Sequence, residues 1–582
     1  MSMFFKTITK PCVKIGIANS NNNLYENSHI KGGIRMFSNK KREDIVSTIS
    51  EVTFDLLVIG GGITGAGIAL DASTRGMNTA LLEMQDFAAG TSSRSTKLVH
   101  GGLRYLKQLD FKVVAEVGKE RAIVYENGPH VTTPEWMLLP LHKHGTFGSL
   151  MTSVGLRVYD LLAGVKKGER RVMLNRQETL EKEPLIKHQG LKGGGYYVEY
   201  RTDDARLTIE VLKAAVDHGT KALNYAKVEE LLYENKKLVG VQVVDQLTGE
   251  TFNVRAKKII NATGPWVDSI REKDGSKQGK GLVLSKGVHI VLDQSRFPLK
   301  QAVYFDTPDK RMVFAIPRNG KAYFGTTDTF YKKDPIAPDV SREDVDYLLQ
   351  AIQFMFPNVK VTASDIESSW AGVRPLILEE GKSPSEISRK DEIWKSESGL
   401  ITIAGGKLTG YRKMAETIVD QIAEEFKVEL NRPFGPCQTK NLPISGGDVG
   451  GAANFEQYVQ TVVEEAVAIG LIKEEASHLA SFYGSNTPIV FELLHQHKNE
   501  LETFALPKTI FAKLVYGLEH EMIATPVDFW FRRTGDLLFD IETVNKWKDP
   551  VLSYMADQFG WSQSETDKFA AELEALISKT EE

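Results

Sequence analysis

The pattern of apolar and polar positions first becomes regular at residue 54. Phe54, Leu56, Leu57, Val58 and Ile59 form a short hydrophobic run that ends in a glycine cluster, and Ile68, Ala69, Leu70 and Ala72 continue with helical spacing to Arg75 and Gly76. That order predicts strand, tight turn, helix. A second apolar run, Thr79 to Leu82, ends on Glu83 and closes a βαβ unit of about thirty residues. Further strands are expected at 239–244, 258–261, 322–325 and 400–404, the last leading through Gly405 and Gly406 into a helix from about Tyr411 to Phe426. Together they predict one α/β sheet spread over residues 54–426, with other material inserted between its strands.

The texture changes near residue 440. Residues 443–451 are rich in glycine and turn formers, and 455–470, 473–483 and 565–578 carry apolar positions at three- and four-residue spacing. Residues 440–582 therefore read as a separate helical domain. The first fifty residues are polar, rich in asparagine and without periodicity, so 1–49 are expected to be a disordered or non-native tail.

Composition narrows the classes. Hydrophobic residues are 42% and charged residues 25%, the balance of a soluble globular chain. Lys+Arg 72 against Asp+Glu 76 leaves no global basic field, which argues against a nucleic-acid partner. Only Cys12 and Cys437 occur, too few for a thiolate metal cage, and His142 and His144 lack the further ligands a metal site needs, so no metal is expected. The longest uncharged apolar stretch, 56–70, is interrupted by five glycines and is shorter than the roughly 20 residues of a membrane span.

The candidate chemistry begins at the glycine cluster. Gly60-x-Gly62-x-x-Gly65 follows a predicted strand and opens a helix, and Glu83 ends the next strand about twenty residues on. Glycines let the backbone approach a pyrophosphate, the helix N-terminus offers N–H donors, and the carboxylate accepts from ribose hydroxyls. Glu83 disfavours a 2′-phosphorylated ribose. The stretch 90–105 then concentrates hydroxyls, paired glycines and the cations Arg94, Lys97 and Arg104, which suits a loop around phosphate and a flat ring.

Six ordered motifs carry a resemblance: 60–65, 93–105, 261–266 (through Gly264 to Trp266), 325–328, 371–375 and 404–412. Together they closely resemble the FAD-dependent glycerol-3-phosphate dehydrogenases of the respiratory, quinone-linked type, in their bacterial aerobic form. The likeness runs over roughly 40–560 and reaches the helical region at 521–534. It implies an α/β fold: an FAD-binding Rossmann-like domain of the glutathione-reductase and D-amino-acid-oxidase kind at 50–430, an interleaved α+β substrate (cap) domain mainly at 125–200 and 275–390, and a C-terminal all-helical domain at 440–582. It also implies FAD as cofactor, held by Gly60, Gly62, Gly65, Glu83, Ser93, Lys97, Gly264 and Gly406.

The implied reaction is oxidation of sn-glycerol 3-phosphate at C2 to dihydroxyacetone phosphate, with electrons passed on to membrane quinone. Arg104, Tyr105, Arg374, Arg389 and Lys407 match the family's substrate pocket, and the cations among them suit multidentate phosphate binding. His289, Arg374 and Lys407 are the implied catalytic set, with His289 accepting or polarising the C2 hydroxyl proton and Asp328 as an orienting partner.

Three questions stay open at this stage. Residues 143–174 carry one apolar helical face and six basic residues against two acidic, which fits either a segment lying on a membrane or a buried helix of the substrate domain. Lying on the bilayer would place the protein on the inner, cytoplasmic face of the cell membrane; a homodimer is also allowed. The same flavin and phosphate pocket would serve an oxidase that releases hydrogen peroxide, although no extra insertion is visible late in the chain. Finally, Lys31, Gly32 and Gly33 stand just before Met36, where the family resemblance begins, so residues 1–35 are expected to be absent from the natural protein or to form a transit peptide.

Overall fold

A computed structural model of the chain describes residues 37–100, 111–143, 145, 167–379, 381, 391–468 and 470–581. The expectations for 1–36, for Arg104, Tyr105 and Arg389, and for most of 143–174 fall outside these described residues.

The first sheet is built on the expected βαβ unit. Strand Thr53–Ile59 pairs in parallel with Thr79–Leu82 on one side and with Thr251–Asn261 on the other. The order runs Glu392–Lys395, Ile401–Ala404, Thr251–Asn261, Thr53–Ile59, Thr79–Leu82, Lys221–Leu223, with the hairpin Ala226–Glu234 and Lys237–Asp245 attached through Thr251–Asn261. Six of the seven residues of Thr53–Ile59 are buried, so both faces are covered and the strand reads as a continuous apolar run. Helices Ile63–Thr74, Asp204–Asp217 and Tyr411–Leu430 contribute to the core that covers it.

The expected strand at 322–325 forms as Lys321–Gly325, but it does not join that sheet. It lies in a second, ten-stranded sheet between Met312–Arg318 and Lys280–Asp293. Its partners are within forty residues in the chain and antiparallel, whereas the parallel strands of the first sheet are reached by crossovers; a short apolar run carries no mark of which it will choose. The remaining long strands of the second sheet are Thr132–His142, Leu191–Thr202 and Ile366–Glu379.

The tail reading fails for residues 37–49. Ser38 caps a short turn at Asn39–Lys41, and helix Arg42–Glu51 follows, with Ile45 and Ile49 buried on one face and Phe37 stacked on Phe87. Burying each aliphatic side chain contributes about 1.5–3 kcal/mol. The charged residues between these apolar positions hide the periodicity in the sequence.

Helices Phe455–Ala468, Lys473–Tyr483 and Gln563–Glu581 match the helical expectation. Their apolar faces share one core with residues of the second sheet such as Met137, Tyr197 and Trp370. The helical region is therefore bounded in sequence rather than in packing. Among the described residues, no helix is long and apolar enough to cross a membrane.

Candidate active site

The glycine turn is forced by contact. Gly60 has φ +114°, and a Cβ there would lie 2.5 Å from the Ala262 carbonyl oxygen. A Cβ at Gly65 would lie 1.9 Å from the Gly60 oxygen, so only glycine lets helix Ile63–Thr74 seat against the strand end. Gly62 stands at the helix N-cap without a side-chain cap, and the Ile63 N–H donates to Ser92 Oγ at 3.0 Å. Glu83 accepts from the Gly61 N–H at 2.7 Å and the Gln85 N–H at 2.8 Å. Burial pushes its carboxyl upward, and those two donors pull it back toward the ionised form.

One cavity of about 770 Å³ joins this turn to the second sheet. Its wall includes Gly60, Gly62, Glu83, the loop residues Gly90, Ser92, Thr96 and His100, then Gly264, Gly406 and Lys407, and from the second sheet His289, Thr326 and Arg374. Of the sequence candidates among the described residues, Gly60, Gly62, Glu83, Gly264, Gly406, His289, Arg374 and Lys407 line the space. Gly65 lies behind the turn as packing.

Ser93 and Lys97 are not in the lining. Lys97 is buried and turns away to pair with Asp204 at 2.6 Å, also donating to the Ser93 carbonyl at 3.1 Å. A buried ammonium takes the nearest carboxylate, and here Asp204, at the start of helix Asp204–Asp217, supplies it.

Arg374 reaches the cavity because the sheet is stripped of side chains around it. A Cβ at Gly287 would lie 2.3 Å from Thr326 Oγ1 and 2.7 Å from Arg374 Nη2. The guanidinium donates to Thr326 Oγ1 at 3.2 Å, lies 3.8 Å from Asp328, and stays about one-third exposed. Lys407 follows strand Ile401–Ala404 through Gly405 (φ +75°) and Gly406 (φ +92°), a left-handed pair that turns the chain back onto the cavity.

His289 sits mid-strand between Gly325 and Trp370. Its ring stacks on Trp370 at 4.6 Å and 8°, and a Cβ at Gly325 would strike it at 2.1 Å. Nε2 lies 3.0 Å from Thr96 Oγ1, and the residue is only 1% exposed. Burial, then the charges of Arg374 and Lys97, hold the imidazole well below its ordinary pKa, so it is neutral at working pH.

Sequence reasoning did not single out three further wall residues. His100 lines the cavity and is half-buried, with its carbonyl held by Thr409 Oγ1 at 2.9 Å. Glu199 lines it too, ion-paired with Arg121 at 3.1 Å. Thr96 is the third. The histidine lay inside the 90–105 stretch, and its type was the available signal.

The donor set fits a dinucleotide flavin. A helix N-terminus with glycines in place of side chains, an acid engaged by backbone N–H groups and a cavity within the roughly 300–1,000 Å³ of cofactor sites make a cradle for it. Among the described residues no cluster of metal-ligating side chains occurs.

The comparisons agree with this geometry. The family model described as FAD dependent oxidoreductase matches residues 55–412, and the one described as C-terminal domain of alpha-glycerophosphate oxidase matches 437–566. The aerobic glycerol-3-phosphate dehydrogenase of Bacillus subtilis is 63% identical over 541 residues, 93% of this chain and 98% of that protein. A namesake from Staphylococcus aureus is 58% identical over 543 residues, 93% of this chain and 97% of its own. Among solved structures, glycerol-3-phosphate dehydrogenase from Bacillus halodurans complexed with FAD superposes with TM-score 0.82 at 52% identity, covering 94% of this chain and 99% of that one. L-alpha-glycerophosphate oxidase from Mycoplasma pneumoniae with FAD bound has TM-score 0.53 at 18% identity, covering 66% of this chain and 97% of its own, and shares the fold alone.

Proposed function

The chain belongs to the family of FAD-dependent oxidoreductases, and from that premise we propose that it oxidises sn-glycerol 3-phosphate at C2 to dihydroxyacetone phosphate and delivers the electrons to membrane quinone. The observation that carries the reading is that Arg374 and Lys407 face the same cavity as the glycine turn and Glu83. When bound, FAD supplies the acceptor for the hydride that leaves C2.

The residues that would hold it are Gly60 and Gly62 at the helix N-terminus, Glu83 at the ribose, and Gly264 and Gly406 where backbone must approach closely. The guanidinium of Arg374 and the ammonium of Lys407 bind the phosphate dianion and fix C2 in place. Arg104, Tyr105 and Arg389 complete the substrate pocket in this reading. The C2 hydroxyl proton passes to an imidazole. His100 and His289 both stand in the cavity wall; in this reading His289, nearly fully buried with Nε2 on Thr96 Oγ1, acts through that hydroxyl, and His100 takes the proton.

The FAD-binding part spans 50–430, the substrate part mainly 125–200 and 275–390, and the helical part 440–582. Attachment to the inner face of the cell membrane is peripheral, which is supported by the absence of any spanning helix among the described residues and by the basic residues of 143–174. The alternative acceptor is oxygen, with release of hydrogen peroxide. Anaerobic glycerol 3-phosphate should bleach the flavin absorbance of purified protein, and a quinone analogue should restore it faster than air does. Equal restoration by air with stoichiometric peroxide would establish the oxidase instead.

A further inference from the structure

His289 stands in the cavity wall with almost no exposed surface of its own. It is 1% exposed, its Nδ1 is buried and has no partner, and its Nε2 meets Thr96 Oγ1 at 3.0 Å. Thr96 itself lines the cavity and is only half-buried. Its backbone is pinned on both sides of the side chain: Tyr323 OH donates to the Thr96 carbonyl at 3.2 Å, and Trp370 Nε1 donates to the Ser95 carbonyl at 3.1 Å. The same Trp370 stacks on the His289 ring, so threonine, histidine and indole form one locked unit.

The tautomer follows from what each nitrogen meets. A buried N–H without an acceptor is a rarer and costlier defect than a buried lone pair. With nothing to receive a proton at Nδ1, the ring hydrogen belongs on Nε2, which donates to Thr96 Oγ1. The depressed pKa of the ring agrees, because it keeps His289 neutral and leaves a single hydrogen to place. The hydroxyl then accepts from the imidazole, and its own hydrogen is left to point away from the ring.

We propose that the Thr96 hydroxyl is an oriented hydrogen-bond donor into the cavity and that His289, whose Nε2 is spent on that hydroxyl, is a positioning residue acting through it. The ligand chemistry it recognises is an acceptor atom, either on the flavin ring or on the phosphorylated alcohol. The inference rests on the reading of this cavity as the site of oxidation, and no bond is made or broken by Thr96.

The test uses purified holoenzyme with Thr96→Val, Thr96→Ser, His289→Asn, and His289→Asn combined with Thr96→Val. Flavin affinity and the rate of anaerobic bleaching by glycerol 3-phosphate are both measured. Thr96→Val should lose about tenfold to a hundredfold in one of the two. Loss of flavin affinity places the acceptor on the cofactor; slower bleaching with flavin retained places it on the substrate. Thr96→Ser should stay within about threefold of wild type, and adding His289→Asn to Thr96→Val should cost less than about threefold more. The proposal is overturned if Thr96→Val is indistinguishable from wild type in both measurements, if serine fails as badly as valine, or if His289→Asn multiplies the loss in the valine background. Failure of glycerol 3-phosphate to bleach wild-type flavin would instead remove the substrate reading, and the flavin-affinity arm would still decide the role of Thr96.

Discussion

Lys407 and Arg374 are where the substrate reading is most exposed to test at the level of single residues. Each would pair a phosphate dianion in a partly dehydrated pocket, so removing one leaves charge underpaired at about 2–5 kcal/mol. At about 1.4 kcal/mol per tenfold, Lys407→Ala should lower kcat/KM for glycerol 3-phosphate roughly thirty-fold to several thousand-fold, with flavin content unchanged. Unphosphorylated glycerol should lose much less, since it presents no phosphate to receive the ammonium. Equal loss with both substrates would assign Lys407 to the flavin or the fold. Gly65 gives the complementary case. Its Cβ would lie 1.9 Å from a backbone oxygen that cannot move aside, so Gly65→Ala should lower both the thermal midpoint and bound FAD, read from the ratio of flavin to protein absorbance. These two substitutions separate binding of substrate from assembly of the cradle.

At the level of elements, the link between the helical region and the flavin-binding sheet is a buried ion network. Asp86, just past strand Thr79–Leu82, receives Arg533 at 2.8 Å and also pairs with Arg532, both on the π-helical turn Asp528–Arg533. Glu521 receives Arg206 at 2.8 Å and Lys213 at 3.2 Å from helix Asp204–Asp217. Removing one member strands its partner in the interior, so Asp86→Ala should destabilise the fold by about 3–5 kcal/mol and lower the thermal midpoint. Burial alone would raise the Asp86 carboxyl, but Arg533 and Arg532 hold it at about 2; burial likewise opposes the pull of Arg206 and Lys213 on Glu521, which is also held at about 2. A carboxyl whose pKa is depressed by folding adds stability above its unfolded value and loses it as pH falls through the folded value. The contribution of both should be intact above about pH 5 and disappear between about pH 4 and pH 2. Asp86→Asn should flatten that acid limb of a thermal-midpoint profile, and an unchanged limb would place acid sensitivity elsewhere.

For the whole molecule, the proposed quinone acceptor requires the protein to meet a bilayer. Basic residues near an anionic surface contribute about 1 kcal/mol each, and salt screens them. Replacing Lys166, Lys167, Arg170 and Arg171 by Gln should release the protein into the soluble fraction while dye-linked activity survives. Unchanged sedimentation with membranes would move the anchor to another surface.

What could be read from the sequence was local. The turn after Ile59 needs glycine because backbone approaches backbone there, and an acid at the end of the next strand is a matter of spacing, so Gly60, Gly62, Gly65 and Glu83 were legible without any partner. The helices after 455 were legible for the same reason, since a 3.6-residue period is written into the chain. What tertiary structure decided was direction and partnership. Lys97 and Ser93 stand in the expected loop, yet Asp204, more than a hundred residues away, draws the lysine inward and off the cavity. Strand Lys321–Gly325 was foreseeable as a strand but not as a member of the second sheet, because pairing depends on which edge is free nearby. Helix Arg42–Glu51 was missed because its two buried isoleucines are paid for by a surface that only the folded chain presents. The same holds for the two imidazoles: the motif placed His289 near the chemistry, but the packing of Trp370, Gly325 and Thr96 around it leaves its ring almost wholly buried in the cavity wall with Nε2 on the Thr96 hydroxyl, while His100 stands half-buried in the same wall.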